Sequence, residues 1–469
     1  MVLGFGKGEP LSNVDAAWLH MEDRTNLMVI TAVMSFHEPL DFGTVRELLE
    51  DRLLCYDRFR QRVVKGIGPF AKPRWVEDDQ FNMKSHLIRL GLPKPAEKAE
   101  LEELVSTLAS TPLDFTKPLW QFHFIDNYRG GSAIIGRLHH CIGDGIALIR
   151  VLLSMTDDSA AGPGRRTRRK GRRRRRTYAK GFWLPEVVNE AFYAVRRITG
   201  NVVDGGVDVL TRPGKVRALA NESLQAAGVL GRLTAMSADP KTVFKGALAT
   251  QKRCAWSEIM PLSGVKAFGK SVGATINDVL LAGVCGALRH YLIDKGQLDI
   301  DGMNIRATVP VNLRPEGPPG ELGNMFGLVF LSLPVGLPTR MARLRELKKR
   351  MDSIKNSSEA IVTFGVLNAL GMASAEIESQ AIGFFGAKAT AVMTNVPGPR
   401  NEIFMAGRSV RSMMFWVPQA ARLGLGVSIL SYAGQVRLGV VADAGLVPYP
   451  SEIIEFFQEE MKAFIAEEE

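Results

Sequence analysis

Apolar and polar positions along this 469-residue chain fall into blocks that predict alternating strands and helices. Val29 to Phe36 is an almost unbroken apolar run of strand length. Thr44 to Leu54 predicts a helix, with Val45, Leu48 and Leu49 on one face and charges on the other. Lys98 to Ser110 predicts another, ending before Pro112. Ser132 to Leu138 reads as a strand. Ile146 to Leu153 reads as a helix after a short Gly-containing loop. Together they predict a mixed α/β first half.

The pattern resumes after position 250. Cys254 to Leu262 predicts a strand, and Thr275 to Leu292 a long helix with Thr275 as N-cap. Ile305 to Val311 and Gly327 to Leu333 predict strands. Met341 to Ile354 predicts a charged helix with Leu344, Leu347, Met351 and Ile354 on one face. Gly424 to Ser431 and Gln435 to Val441, joined through Tyr432-Ala433-Gly434, predict a hairpin. The expected domains are therefore 1–156, a connector 157–249 with amphipathic segments such as Val187 to Ile198, and 250–469.

Charge changes the picture only in the connector. The net charge is +10, yet Arg165 to Lys180 alone holds eleven basic residues and no acid. The rest of the chain is close to neutral. Such a segment is too charged to bury and too poor in apolar residues to fold alone. Two readings stand: a solvated linker, or a polybasic contact with an anionic membrane surface, with Phe182-Trp183-Leu184 suited to the boundary. Nothing else in the pattern matches a nucleic-acid-binding fold. Cys55, Cys141, Cys254 and Cys285 show no paired spacing, which argues against a disulfide framework or a zinc site and for a reducing compartment. Met1 to Pro10 lacks a signal-peptide pattern, and Ala360 to Ala375 is too short and Gly-interrupted to span a membrane. The expectation is a cytoplasmic protein, peripheral to a membrane or lipid droplet if the basic segment makes that contact.

The candidate chemistry lies between the predicted strand and helix of the first half, at His139-His140-Cys141-Ile142-Gly143-Asp144-Gly145. A histidine at a strand end, with an acid four residues on, is a compact acid–base arrangement. Imidazole can take a proton near neutral pH. Cys141 is a poor candidate nucleophile, and no Gly-x-Ser-x-Gly elbow occurs. Gly264 to Ser271 matches the phosphate-loop pattern GxxxxGK[ST], but Val265, Phe268 and Val272 keep helical spacing through it, so a helix is predicted there instead.

The motif HHxxxDG resembles that of CoA-dependent acyltransferases, and further blocks narrow the resemblance. Pro112-Leu113-Asp114-Phe115-Thr116-Lys117-Pro118-Leu119-Trp120 resembles a PLDxxxPLW block, and Asn277-Asp278-Val279-Leu280-Leu281-Ala282 an ND-led helix. Val309-Pro310-Val311-Asn312-Leu313-Arg314, Gly323-Asn324 and Thr394-Asn395-Val396-Pro397-Gly398-Pro399 resemble three more. In this order, from about Leu11 to Pro450, the chain is similar to bacterial wax ester synthase/diacylglycerol acyltransferases. It departs from them at Asn26-Leu27-Met28-Val29-Ile30, where many carry a Pro-Met-His-Val-Gly-like stretch, and at Lys117, where arginine is common. Neither departure is expected to touch the chemistry.

The resemblance implies two chloramphenicol-acetyltransferase-like mixed-sheet domains, an α/β fold with a helical linker and the active site in a tunnel between the halves. It implies transfer of a fatty acyl group from acyl-CoA to a diacylglycerol or long-chain alcohol, acyl-CoA being a co-substrate, with no cofactor or metal. His140 would be the general base and His139 would shape the site. Asp144 would be structural or would orient the imidazole, and Gly143 and Gly145 would supply backbone freedom. Asn277 would donate to the oxyanion or simply cap and pack, with Asn395 and Arg314 shaping the tunnel. Phe326, Met393 and Phe415 would line the acyl path or pack in the core, which the sequence does not separate. Two alternatives remain: a condensation-type transferase with an amine or carrier-bound acceptor, and a non-catalytic lipid-binding protein of the same fold.

Overall fold

Two mixed β-sheets organise the chain, and most of their strands are the apolar blocks just described. The computed structural model describes residues 8–66, 72–161, 228–314, 322–355, 357–373 and 375–466. The basic segment Arg165 to Lys180 and the amphipathic Val187 to Ile198 lie outside the described residues. Of the connector, 228–235 is helical and Asp157 forms a β-bridge with Phe404.

The first sheet runs in the order Phe404–Met405, Arg408–Trp416, Val29–Phe36, Gly131–His139, Trp120–Tyr128 and Leu87–Leu90. All pairs are antiparallel except the last. Gly131–His139 sits at its centre and is buried along its whole length. That is why it reads as a continuous rather than an alternating apolar run. It is joined to Trp120–Tyr128 by a tight turn at Arg129-Gly130, both with positive φ. Helices Phe42–Arg52, Lys98–Ala109 and Gly145–Ser154 bring the apolar faces read from sequence to this half.

One relationship departs from the linear division of the chain. Arg408–Trp416 belongs to the second half of the sequence, yet it pairs with Val29–Phe36, Met414 opposite Val33. The first sheet is thus completed by two strands from the second half, Arg408–Trp416 and, at its edge, Phe404–Met405.

The second sheet has the order Phe326–Leu333, Ile305–Asn312, Ala391–Pro397, Leu425–Tyr432, Gln435–Asp443 and Lys252–Trp256, with Met260–Pro261 also on Gln435–Asp443. The hairpin forms as predicted, its two-residue turn Ala433-Gly434 taking positive φ at both positions. Helix Ile276–Asp294 starts from Thr275 in a reciprocal capping box with Asp278. It is the one helix among the described residues long and apolar enough to cross a membrane, and 72% of its apolar window is buried inside the protein. Leu344, Leu347 and Met351 of Arg340–Lys355 are buried, as their spacing predicted.

One expectation changes. Cys254 to Leu262 is not one strand: Ser257 N still donates to Leu438 O at 2.8 Å, but its hydroxyl rather than a backbone carbonyl accepts from Leu438 N, the ladder stops there until Met260–Pro261, and Leu262 already begins helix Leu262–Ser271. Of the two readings of Met393, lining and core, its packing fits the core: it is buried among the core residues of the second sheet. Gly264 to Ser271 is helical, as its spacing required, so the phosphate-loop match is accidental.

Candidate functional site

The strand Gly131–His139 delivers the two histidines to the seam between the halves. His140 N donates to Met28 O at 2.7 Å, and residues His140–Ile142 make a single tight turn. Asp144 then caps helix Gly145–Ser154, its Oδ1 accepting from Ala147 N at 2.8 Å. The turn lies against Gly323 of the second half: Gly323 N donates to Ile142 O at 3.1 Å. A Cβ on Gly143 would meet Ala147 Cβ at 3.3 Å and Gly323 N at 3.4 Å, so close approach explains the glycine. Gly145 is different from expectation. It has no positive φ and open space around its Cβ position, so no backbone constraint demands glycine there.

His140 is 5% exposed and enclosed by aromatic rings. Trp18 stacks on it at 4.0 Å between centroids and 18° between planes, and Phe326 is tilted beside it at 5.7 Å. Burial pulls its pKa down to about 4, the nearby Asp144 opposing and His139 adding to the effect. The imidazole is therefore neutral, and able to accept a proton, at physiological pH. Nδ1 is buried without a hydrogen-bond partner of good geometry, while the backbone carbonyl of His140 and the Asn324 side chain favour the protonated form of the ring.

Of the residues that fix this ring, the sequence marked Asn324 only as part of a motif block and gave Asp15, Trp18 and Glu22 no role. Asn324 Nδ2 donates to His140 O at 2.8 Å and to Asp15 Oδ1 at 2.7 Å, and Asn324 N donates to the same Asp15 oxygen at 3.0 Å. Asp15 is buried, which pushes its pKa up against these hydrogen bonds. His139 is fully buried; its Nδ1 accepts from Cys141 N at 3.1 Å, and its Nε2 lies 2.9 Å from Glu22 Oε2, near but off the line of a hydrogen bond. Glu22 also accepts from Met28 N at 3.0 Å. Asp15 and Trp18 lie on helix Asn13–His20, and Glu22 follows it directly. Their signal was an acid, an aromatic and a second acid on and beyond one short helix, which no local pattern links to a histidine over a hundred residues away.

The divergent stretch at Asn26 to Ile30 lies against the motif. Met28 O holds His140 N, and the Met28 side chain packs with Val14, Trp18 and Phe326. The contact to His140 is through backbone, so it does not depend on which side chain stands there.

Asp144 makes no hydrogen bond to the imidazole among the described contacts. Its Oδ2 accepts from Arg314 Nη2 at 3.0 Å and from Met325 N at 2.9 Å. Both oxygens are thus used in holding the loop to its helix and to the second half. Cys141 is buried, and burial together with Asp15 and Glu22 holds its thiol well above its usual range, so a thiolate is disfavoured. Asn277 Oδ1 accepts from Asn395 Nδ2 at 2.6 Å, tying the start of helix Ile276–Asp294 to strand Ala391–Pro397. No described contact joins either residue to His140.

Beside the motif lies a cavity lined almost wholly by apolar side chains. Leu138 and Gly145 bound it next to the histidines; Leu148, Ile149 and Leu152 form one wall, and Met413, Met414 and Phe415 come from the strand donated by the second half. Among the described residues, no group of three or more His, Cys, Asp or Glu side chains is placed to hold a metal ion.

Comparison with known proteins places the chain in a family. Residues 11–280 match the wax ester synthase/diacylglycerol acyltransferase catalytic domain, and residues 322–464 match the C-terminal domain of the same group. A probable diacylglycerol O-acyltransferase of Mycobacterium tuberculosis strain H37Rv is 27% identical over 97% of this chain and 96% of its own. A wax ester synthase/diacylglycerol acyltransferase from Marinobacter aquaeolei VT8 superposes with TM-score 0.67 at 21% identity, covering 97% of this chain and 98% of that one. The first condensation domain of the calcium-dependent antibiotic synthetase superposes with TM-score 0.60 at 13% identity, over 98% and 96% of the two chains. At such identities these superpositions show a shared two-sheet α/β fold.

Proposed function

Because the chain belongs to the wax ester synthase/diacylglycerol acyltransferase family, we propose that it moves a fatty acyl group from acyl-CoA to the hydroxyl of a diacylglycerol or long-chain alcohol. The observation that carries this reading is a buried, neutral His140 at the seam of the two halves, beside an apolar cavity. Nδ1 is buried in the protein, and we take Nε2 as the basic nitrogen. The acceptor oxygen attacks the thioester carbonyl carbon while Nε2 takes the hydroxyl proton. The tetrahedral adduct then expels the CoA sulfur, which recovers that proton. One histidine suffices because the proton is borrowed and returned. Water exclusion around the ring favours transfer to the alcohol over hydrolysis.

The cavity supplies what a fatty chain needs: apolar walls and few polar groups. Asn324, Asp144 and Arg314 act on the position of the motif rather than on substrate. Arg165 to Lys180 would bring the enzyme to an anionic membrane or lipid-droplet surface, where both acceptors reside.

The test is acyl-CoA-dependent release of free thiol by the wild type and His140→Ala, with hexadecanol and a diacylglycerol offered separately. Release that needs an alcohol and collapses in the variant supports the reading, and the better acceptor names the product. Release independent of any alcohol, or unaffected by the substitution, refutes it.

A further inference from the structure

When the hydroxyl proton reaches His140, a cation forms where water is largely excluded. The charged and titratable groups facing it are few. On its own segment are His139 and Asp144; on helix Asn13–His20 is Asp15; beyond that helix is Glu22; from the second half comes Arg314. The carboxylates make their hydrogen bonds elsewhere, and Asp144 favours the imidazolium only through its charge at a distance. Asp144 caps Ala147 and pairs with Arg314, Asp15 accepts twice from Asn324, and Glu22 faces His139 and Met28 N. What lies against the imidazole face is the indole of Trp18.

We propose that Trp18 is a positioning residue for acyl transfer: its indole face holds the His140 ring flat and stabilises the imidazolium formed as the hydroxyl proton is taken up. This rests on the reading of His140 as general base. An aromatic face carries negative electrostatic potential, and indole is the strongest of the three aromatic side chains in attracting a cation, more so where water is absent. A spacing of 4.0 Å at 18° puts the rings in parallel contact, a geometry in which the attraction rises when imidazole becomes imidazolium. Phe326 is too far tilted to replace it, at 55°, but its contact with Trp18 at 5.7 Å helps fix the indole. The indole is 4% exposed, packed on Val14, Met28 and Phe326, and its helix is tied through Asp15 to the same Asn324 that holds His140 O. Ring and indole are thus positioned by one network.

Trp18→Leu keeps the site apolar and removes the π face; Trp18→Phe keeps a weaker face. Trp18→Leu is expected to lower kcat about tenfold with KM for acyl-CoA within about twofold, since the interaction grows only in the charged state. The acid limb of kcat/KM should move to lower pH, because the imidazolium loses its support, and Trp18→Phe should recover most of both effects. Global incorporation of fluorinated tryptophan, which weakens the face without changing its shape, should move the limb the same way, and that shift should vanish in Trp18→Phe. The proposal is overturned if Trp18→Leu leaves kcat and the acid limb unchanged, or raises KM alone. Should Trp18→Leu not fold, the fluorotryptophan titration decides: an unmoved limb overturns the proposal. His140→Ala separates the two ideas. Full turnover in that variant defeats the general-base reading itself, whereas an inactive His140→Ala with wild-type-like Trp18 variants defeats only the role of Trp18.

Discussion

Asp144 and Arg314 stand 170 positions apart and meet at 3.0 Å across the seam of the two halves, both side chains almost fully buried. The same guanidinium nitrogen donates to Gly323 O at 2.7 Å, and the same carboxylate caps the helix after the histidines. The motif's acid therefore links loop, helix and second half.

Removing one partner of such a pair strands the other inside the protein. Asp144→Ala is expected to cost about 3–5 kcal/mol of stability. Asp144→Asn keeps a side-chain oxygen for the cap and should cost less. In thermal unfolding, the double variant Asp144→Asn/Arg314→Met should be more stable than the sum of the single losses predicts. Strict additivity would show that the pair is not coupled.

The depressed pKa of His140 sets the pH dependence. A histidine lowered from 6.5 to about 4 stays neutral, and basic, until the medium is well acidic. The acid limb of kcat/KM should therefore lie well below the ordinary histidine range, and activity should be flat from pH 6 to 8 as far as this group is concerned. A limb centred near 6.5 would contradict the buried setting of the ring.

Asn324 joins Asp15 to the His140 carbonyl. Asn324→Ala leaves the buried Asp15 oxygen and that carbonyl without their side-chain donor, at a cost of about 1–3 kcal/mol. A drop in kcat larger than the rise in KM is expected, since what is lost is ring placement. Steady-state kinetics at saturating acyl-CoA will show it.

Leu148 lines the apolar cavity from the helix that follows the histidines. Leu148→Trp should shorten the usable space. The ratio of kcat/KM for hexadecanoyl-CoA to that for octanoyl-CoA should fall about tenfold or more. An unchanged ratio would place the acyl chain elsewhere.

Acid stability is governed in part by His123, buried in the first sheet, whose pKa is pulled down to about 4 by burial first and by Arg137 second. The unfolded chain takes up a proton near 6.5 and the folded chain does not, so stability falls as pH drops from about 6.5 to 4, by up to about 1.4 kcal/mol per pH unit. His123→Phe should flatten the fall of Tm between pH 7 and 5.

The sequence by itself determined the elements and where the contiguous candidate residues stand between them. Val29–Phe36, Gly131–His139 and the hairpin at Ala433-Gly434 follow from apolar runs and turn residues, and the helix after Thr275 from its cap. Periodicity and capping are local, so a linear reading captures them. The ordered motifs likewise marked His140 and the seam it occupies. Only the tertiary structure decided what surrounds that histidine. Trp18, Asp15 and Asn324 reach it through packing of segments far apart in the chain, and Arg408–Trp416 crosses to complete the first sheet and wall the cavity. Tertiary contacts also showed that both Asp144 oxygens are taken up by Ala147, Met325 and Arg314, and that Asn277 is paired with Asn395. Burial and hydrogen bonds between distant residues depend on the whole arrangement of strands and helices, and no window along the chain contains them.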